Sequence, residues 1–298
     1  MGPRIPPGHG PGGLSPRVQV ALAAALFATG GAGIKAVGFG PWQTAAVRAG
    51  VALAAMLVII PESRQWRDWR VALVGCAYAL TTVGFVLANK QTTAASAIFL
   101  QNTSPVFVLL LAPLLLGERV TRDDLVYMAA LAVGMVLFFA GTRAPMATAP
   151  RPVLGNILAL CTAVTWSVTL IGYRWLAARG LSVGGAAVCG SALAAVGTAA
   201  LAFPWEPGRP IDWALLAFLG VFQLGVPYLL IVRAVPRLKA IDVSLLLLLE
   251  PVLSALIAWA VHGETLAAPG FMGGAVIVGA TVVHARRAAT GPPLIPVD

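Results

Sequence analysis

The sequence predicts an all-α integral membrane protein with ten transmembrane helices, arranged as two inverted five-helix repeats with both termini in the cytoplasm. Three observations carry this prediction: an apolar composition, a hydrophobic motif that occurs twice, and an uneven distribution of Lys and Arg between the predicted loops. Of the 298 residues, 59% are hydrophobic and 10% are charged, and the mean hydropathy is +0.87. Soluble domains carry about 25% charged residues. So few charges cannot cover a water-facing surface, and lipid must therefore contact much of the chain.

The apolar residues are concentrated in ten runs of about the length that a membrane span requires, near 20 residues. These runs cover residues 18–38, 43–60, 70–89, 94–116, 125–141, 153–173, 184–203, 212–232, 241–261 and 268–285. Turn-forming pairs such as Gly40-Pro41 and Pro207-Gly208 separate them. The resulting division is a disordered Pro/Gly-rich cytoplasmic tail (1–16), a first repeat (17–142), an external linker (143–152), a second repeat (153–286) and a cytoplasmic tail (287–298).

A hydrophobic motif occurs at the same place in each half. Residues 96–118 (SAIFLQNTSPVFVLLLAPLLLGE) align without a gap with residues 242–264 (DVSLLLLLEPVLSALIAWAVHGE), which places Pro105 opposite Pro251. Both copies end on a Gly-Glu pair. Internal repeats of hydrophobic helices are typical of secondary transporters, whose substrate site lies near the bilayer midplane between the two halves.

The basic residues predict the orientation of the chain, because cytoplasmic loops carry an excess of Lys and Arg. With the N-terminus in the cytoplasm, the inner segments hold 14 Lys and Arg residues and the outer segments hold 4. Five helices in each half is an odd number. The second half must therefore cross the membrane in the opposite direction to the first, which makes the two halves inverted repeats.

Glu250 is the clearest candidate for a functional side chain, because it lies midway along the ninth predicted helix, directly before Pro251. A carboxylate at the bilayer centre is costly unless it is paired, protonated or hydrated. Proline also removes one helix hydrogen bond at this level. We predict that Glu250 faces a cavity, where it binds a substrate amino group or a proton. The structural alternative is an ion pair with Lys35, with Arg48 or with another helix.

Pro105 predicts a corresponding break in the fourth helix, and Gln101 and Asn102 precede it. Both amides can donate and accept hydrogen bonds, which suits a zwitterionic substrate. Hydrogen bonding between neighbouring helices is an equally supported role for these two side chains.

Aromatic and amide side chains on three further helices complete the predicted substrate site. They are Tyr78, Trp166, Gln223 and Tyr228, with Pro227 as a third helix-breaking residue. Tyr and Trp combine an apolar ring with one polar group, which suits a cavity of mixed character. Packing between helices is the alternative role for these rings.

Four charged residues at span ends are candidates for gating or charge pairing. Lys35 and Arg48 lie near the predicted outer ends of helices 1 and 2, whereas Glu118 and Glu264 follow Gly at equivalent helix ends. The planar guanidinium of Arg48 suits a substrate or gating carboxylate. The alternatives are snorkelling of the two cations to the interface and local hydrogen bonding by the two glutamates.

These patterns resemble the drug/metabolite transporter superfamily, specifically its ten-helix exporters built from two EamA-type repeats. The strings LLEPVLSALIAWAVHGETL (248–266) and TSPVFVLLLAPLLLGERV (103–120) are similar to the ninth and fourth helices of that family. The resemblance covers the chain outside both tails. It implies export of small metabolites across a plasma membrane, with amino-acid exporters of the YddG type as the most similar subgroup. One departure is that Phe27-Ala28 replaces the Trp-Gly pair common early in the first helix.

Other functions find little support in the sequence, which predicts no enzyme, no cofactor and no metal site. The chain lacks the sequence GxxxxGK[ST] that binds nucleotide phosphates. Its three cysteines lie far apart within apolar runs, where we expect small packing residues rather than disulfides. No basic stripe with interleaved aromatics indicates nucleic acid. The predicted partners are lipid and a small-molecule substrate, most directly a neutral or aromatic amino acid. Efflux of organic cations or another metabolite, a channel-like facilitator, proton coupling and any oligomeric state stay open.

Overall fold

The structure is a computed structural model that describes residues 14–60, 65, 67–117, 120–140, 149–262 and 268–290, and within these ranges it is helical without any β-strand. The α-helices of these residues are α1 (Pro16–Phe27), α2 (Gly30–Ala36), α3 (Pro41–Ile59), α4 (Trp69–Gln91), α5 (Ala94–Gln101), α6 (Ser104–Leu116), α7 (Arg122–Ala140), α8 (Pro152–Ala178), α9 (Val183–Ala199), α10 (Pro210–Phe218), α11 (Val226–Ala234), α12 (Ala240–Leu246), α13 (Leu249–His262) and α14 (Ala268–Thr290).

Seven stretches of the described residues are helical, long and apolar enough to cross a membrane. They are Pro16–Ala36, Pro41–Ile59, Trp69–Gln91, Ser96–Leu116, Pro152–Ala178, Val183–Ala202 and Pro210–Arg237. Each coincides with one of the ten spans expected from the sequence. The other three expected ranges lie on α7, on α12 with α13, and on α14, and their crossing of the membrane stays a prediction.

Local sequence signals define where the helices begin. Side chains of Asp68, Thr93 and Ser182 accept hydrogen bonds from backbone N–H groups in the first turns of α4, α5 and α9. These caps satisfy donors that have no partner within the helix. Pro41 and Pro152 begin α3 and α8, where the missing proline N–H would have no helical partner anyway.

Four of the helical stretches are interrupted near their middles. Two non-helical residues separate α1 from α2 (28–29), α5 from α6 (102–103) and α12 from α13 (247–248), and a π-helical turn, Leu219–Gly225, joins α10 to α11. Pro105, Pro251 and Pro227 lie in the first turns of α6, α13 and α11, directly after three of these interruptions. Proline cannot donate to the carbonyl four residues earlier, so each of these prolines removes one regular helical hydrogen bond. At Pro251 the Leu247 carbonyl accepts from the Glu250 N–H instead.

The packing of the helices is nearly unchanged when the two halves of the chain are exchanged. Helix α4 packs on α8 and α9, and correspondingly α11 packs on α1 and the π-helical turn packs on α3. Helix α6 contacts α8 as α13 contacts α1, while α3 pairs with α9 and α7 pairs with α14. Each of these contacts in one half therefore has a counterpart in the other half.

The outward face of the bundle is apolar. Val58, Leu114 and Val196 are 84%, 81% and 75% exposed, respectively. Cys76 and Cys161 are also exposed, so the expectation that every cysteine packs in the interior was wrong for these two. Lipid tails are as apolar as a protein core, and an apolar residue type therefore does not distinguish the two environments.

Glycine allows α4 and α9 to approach closely. A Cβ atom on Gly190 would lie 2.6 Å from the Gly75 carbonyl oxygen and 2.9 Å from the Tyr78 Cβ atom. Gly197, on the same helix α9, has no atom within 4 Å of an added Cβ. The two positions share a helix but differ in the space around them.

Replacement of Gly190 by alanine should therefore destabilise the protein. Overpacking typically costs about 1–3 kcal/mol, which exceeds the gain of about 0.5–1 kcal/mol that alanine brings to a helix interior. The measurement is thermal unfolding of the purified protein in detergent. Gly190→Ala should lower the midpoint by several degrees, whereas the control Gly197→Ala should leave it unchanged or raise it. Equal midpoints for the two variants would contradict the close approach.

Candidate functional site

A cavity lies where the interrupted spans meet. It contains about 440 Å³ of space outside the protein atoms, including its opening. Its lining residues come from α1, α3, α4, α5, α8, α11, α13 and the π-helical turn: Phe27, Arg48, Thr81, Thr82, Phe85, Gln101, Asn102, Trp166, Gln223, Leu224, Tyr228 and Glu250. The cavity thus draws side chains from both halves of the chain.

The cavity brings together most of the predicted substrate-binding residues. Six of the seven line it, namely Gln101, Asn102, Trp166, Gln223, Tyr228 and Glu250, and Arg48 from the predicted charge-pairing set joins them. Sequence reasoning missed Phe27, Thr81, Thr82, Phe85 and Leu224, because these residue types usually pack between helices. Two features of the sequence could have indicated them. Thr81 and Thr82 are consecutive hydroxyl side chains in an apolar run, and Phe27 replaces the Trp that is common early in the first helix of the family that the sequence resembles.

Arg48 is buried and bonded to a neutral partner. Its Nε atom donates to Gln223 Oε1 at 3.0 Å, and its Nη2 atom donates to the same oxygen. Both residues are nearly inaccessible, with 2% of each exposed. A buried cation is costly unless it is paired and hydrogen-bonded. The amide oxygen satisfies two N–H groups and adds no negative charge.

Glu250 lies in the first turn of α13, where the interruption at 247–248 has created a new helix N-terminus. Its backbone N–H donates to the Leu247 carbonyl at 2.9 Å, and its side chain lines the cavity. A helix N-terminus carries partial positive charge and stabilises a nearby carboxylate. The break between α12 and α13 therefore favours the acidic side chain that the sequence places beside it.

Aromatic rings form one wall of the cavity. The ring centroid of Tyr228 lies 5.5 Å from that of Phe27 and 5.9 Å from that of Trp166, and both contacts are edge-on. Tyr78 is fully buried behind this wall, with its ring 4.5 Å from Tyr228 and its hydroxyl accepting a hydrogen bond from Ser191 at 3.0 Å. Tyr78 thus supports the wall and does not line the cavity.

The remaining polar lining is partly occupied by bonds within the protein. Asn102 Nδ2 donates to the Ile98 carbonyl at 2.7 Å. Thr81 Oγ1 lies 2.8 Å from the Ala77 carbonyl and 2.9 Å from Thr165 Oγ1. Such bonds to the preceding helical turn satisfy hydroxyl and amide groups in an apolar setting.

Lys35 lies away from the cavity lining, at one end of the bundle. Its Nζ atom donates to the Thr92 carbonyl at 2.6 Å, and Lys90 Nζ donates to the Val37 carbonyl at 2.6 Å. Each lysine therefore bonds the carbonyl of the residue that directly follows the other's helix, where a cation is favourable. Glu118 and Glu264, the other predicted gating residues, lie outside the residues that the structure describes.

A polar network links the two halves at this same end. Asp212 accepts from the Gly38 backbone N–H at 2.8 Å and bonds the Arg209 guanidinium at 2.9 and 3.0 Å. The hydrogen bond to Asp212 raises the pKa of Arg209. The Gln43 amide donates to the Glu206 carbonyl and accepts from the Glu206 N–H, at 2.9 and 2.8 Å.

Two of the apolar clusters among the described residues border the cavity and contribute side chains to its lining, and we call them the apolar layers. The layer toward the polar network includes Ile34, Phe39, Phe85 and Leu219. The other is larger and consists of buried side chains from both halves, among them Ala24, Met56, Tyr173, Ile231 and Leu246. Among the described residues, no group of three or more His, Cys, Asp or Glu side chains is arranged to hold a metal ion.

Known proteins resemble this chain in sequence and in fold. A model of the EamA-like transporter family matches residues 17–140 and 153–285. An uncharacterized transporter of Archaeoglobus fulgidus is 24% identical over 217 residues, which cover 70% of this chain and 73% of that protein. A solved crystal structure shares the fold with a TM-score of 0.73 at 22% identity, covering 93% of this chain and 99% of the matched chain.

The position of Tyr78 predicts a structural role for its hydroxyl. Tyr78→Phe removes the bond from Ser191 and should lower stability by about 0.5–1.5 kcal/mol, while the affinity for any ligand of the cavity should change less than twofold. The measurement is a double-mutant cycle of thermal midpoints with Ser191→Ala. Because both variants break one bond, their effects should not add. Full additivity would show that the bond contributes nothing.

Proposed function

The chain belongs to the EamA-like transporter family, and we propose that it exports small zwitterionic metabolites, neutral or aromatic amino acids above all, by alternating access. The observation that carries the proposal is the composition of the cavity lining. One guanidinium (Arg48), one carboxyl group (Glu250) and an aromatic wall meet at the level where the spans are interrupted. Interrupted spans around a mid-membrane site are typical of secondary transporters.

An amino acid is complementary to this lining in charge. Its carboxylate can take the donors of Arg48, and its ammonium group can bond the Glu250 carboxylate or the Gln101 amide oxygen. Because the ligand carries both charges, its binding adds no net charge to a buried site, which would otherwise be costly.

The proposed architecture is ten spans in two inverted repeats. The protein would lie in the plasma membrane, with both termini in the cytoplasm. The exchangeable packing of the two halves supports the repeat. The excess of Lys and Arg in alternate loops supports the orientation. Alternating access would then consist of opening the two apolar layers in turn.

Efflux of organic cations is a second candidate, favoured by the carboxyl group beside aromatic rings. Such rings attract cations through their faces. Arg48 weighs against it, because a buried positive charge on the same lining repels a cationic ligand.

The proposed function predicts saturable transport of amino acids by the purified protein in liposomes. Uptake of labelled neutral and aromatic amino acids should saturate, and unlabelled substrate should compete with it. A parallel panel of organic cations and sugar derivatives is the control for specificity. Uptake of a cation or a sugar derivative, with no amino acid carried, would overturn the amino-acid assignment, and flux that never saturates would indicate a channel-like facilitator.

Replacement of Glu250 by glutamine should lower amino-acid transport at least about tenfold or abolish its response to a pH gradient. The variant removes the carboxylate that would bind the substrate ammonium group or a proton and leaves the size of the side chain unchanged. The measurement is initial uptake into liposomes with and without a pH gradient. The control Asp123→Asn makes the same chemical change at a side chain that is exposed and outside the cavity. Unaltered transport by Glu250→Gln at every pH would exclude both roles.

A further inference from the structure

Arg48 presents more hydrogen-bond donors than its protein partner can use. A guanidinium carries five N–H groups, and the recorded bonds from Arg48 to the described residues both end on Gln223 Oε1. Three of the five N–H groups are therefore left for another acceptor. Arg48 is 2% exposed and lines the cavity, so such an acceptor must enter through the cavity.

The Gln223 side chain is held by few other contacts. Within the described residues its recorded hydrogen bonds are those from Arg48. Its Nε2 atom lies beside Gly30, where an added Cβ would come within 2.5 Å of it. Gln223 also belongs to the π-helical turn, and Pro227 cannot donate to its backbone carbonyl. If another acceptor replaced the amide oxygen of Gln223, the two hydrogen bonds from Arg48 would break. Among the described residues, no other side-chain hydrogen bond of Gln223 would be lost.

We propose that Gln223 is the resident occupant of a carboxylate-binding site, and that the substrate carboxylate displaces its amide oxygen from Arg48. This inference rests on the proposed function, because it concerns the same cavity. A carboxylate has two oxygens that match the guanidinium fork, and its charge-assisted hydrogen bonds are about twice as strong as those of a neutral amide. Gln223 keeps the empty site hydrogen-bonded and sets the affinity by competition.

A purely structural pair makes a different prediction for variants. If Gln223 competes with the ligand, Gln223→Glu supplies a tethered carboxylate and blocks the site. Gln223→Leu removes the competitor and leaves Arg48 without its acceptor, so that the empty protein loses stability until a carboxylate binds. If Gln223 only supports the fold, no ligand restores that stability.

The experiment measures thermal midpoints and Kd values of the purified full chain with three probes. L-phenylalanine carries both groups, phenylacetate has only the carboxylate, and phenethylamine has only the amine. Gln223→Glu should weaken binding of the two carboxylates at least tenfold and should not weaken binding of the amine. Gln91→Glu is the matched control, since it makes the same chemical change at the end of α4, outside the cavity lining, and its effect on the carboxylates should stay below about threefold.

The Gln223→Leu variant provides the second, independent readout. Its midpoint without ligand should lie below that of the wild type, and saturating L-phenylalanine or phenylacetate should restore most of the difference, whereas phenethylamine should not. Equal Kd values of the carboxylates for the wild type and Gln223→Glu, or a Gln223→Leu midpoint that no carboxylate raises, would overturn the inference.

The two proposals fail in different ways. Binding of phenylacetate that depends on Gln223, without any transport of amino acids in liposomes, would keep the carboxylate site and overturn the proposed substrate. Transport of amino acids, together with equal Kd values of phenylacetate for the wild type and Gln223→Glu, would keep the proposed substrate and overturn the carboxylate site. If phenethylamine alone binds, both proposals are wrong.

Discussion

The structure depends on one constraint: a backbone N–H or C=O group within a bilayer must find a partner, because lipid offers none. A continuous helix pairs its own N–H and C=O groups, whereas an interruption leaves some of them without a helical partner. The four interruptions of this bundle lie at the level of one cavity, which Phe27, Gln101, Gln223 and Glu250 line from positions within or close beside them. Irregular backbone at membrane depth is tolerated where it borders protein or a hydrated space. The interruptions therefore require the cavity beside them, and the cavity is bordered by the interruptions. Polar side chains can be placed at this level for the same reason.

The charges of the cavity follow from the same breaks. Glu250 gains a helix N-terminus because α12 and α13 are separate helices. Arg48 gains an acceptor because the π-helical turn places Gln223 against α3. Neither group relies on a direct ion pair with the other, since both recorded side-chain bonds of Arg48 go to the amide. An acidic and a basic side chain that are held separately and share one lining are complementary to the zwitterionic ligand that we propose.

The sequence predicted this arrangement unevenly, for physical reasons. Long apolar runs predict spans reliably because bilayer thickness fixes their length, and within the described residues seven of the ten expected spans are helices long and apolar enough to cross a membrane. Glu250 was a clear signal because a carboxylate within a span is rare. The Arg48–Gln223 bond could not be predicted, since 175 residues separate its partners and side-chain direction within each helix is not encoded locally. Tyr78 and Cys76 show the same limit, because ring or thiol chemistry does not reveal whether a side chain faces cavity, neighbour or lipid.

The two ends of the bundle are closed by different forces, and this difference bears on how the halves can separate. At the end that holds Asp212, the halves are joined by a smaller apolar layer and by hydrogen bonds such as Asp212 to Gly38 and Gln43 to Glu206. Water can replace such bonds, so each contributes about 1 kcal/mol net. At the other end a larger apolar layer must be exposed, at about 25 cal/mol per Å². In the transport cycle that we propose, opening toward Asp212 would expose the smaller apolar layer and exchange these hydrogen bonds for bonds to water. Opening at the opposite end would expose the larger layer and cost more free energy, which bound substrate or a transmembrane gradient can supply.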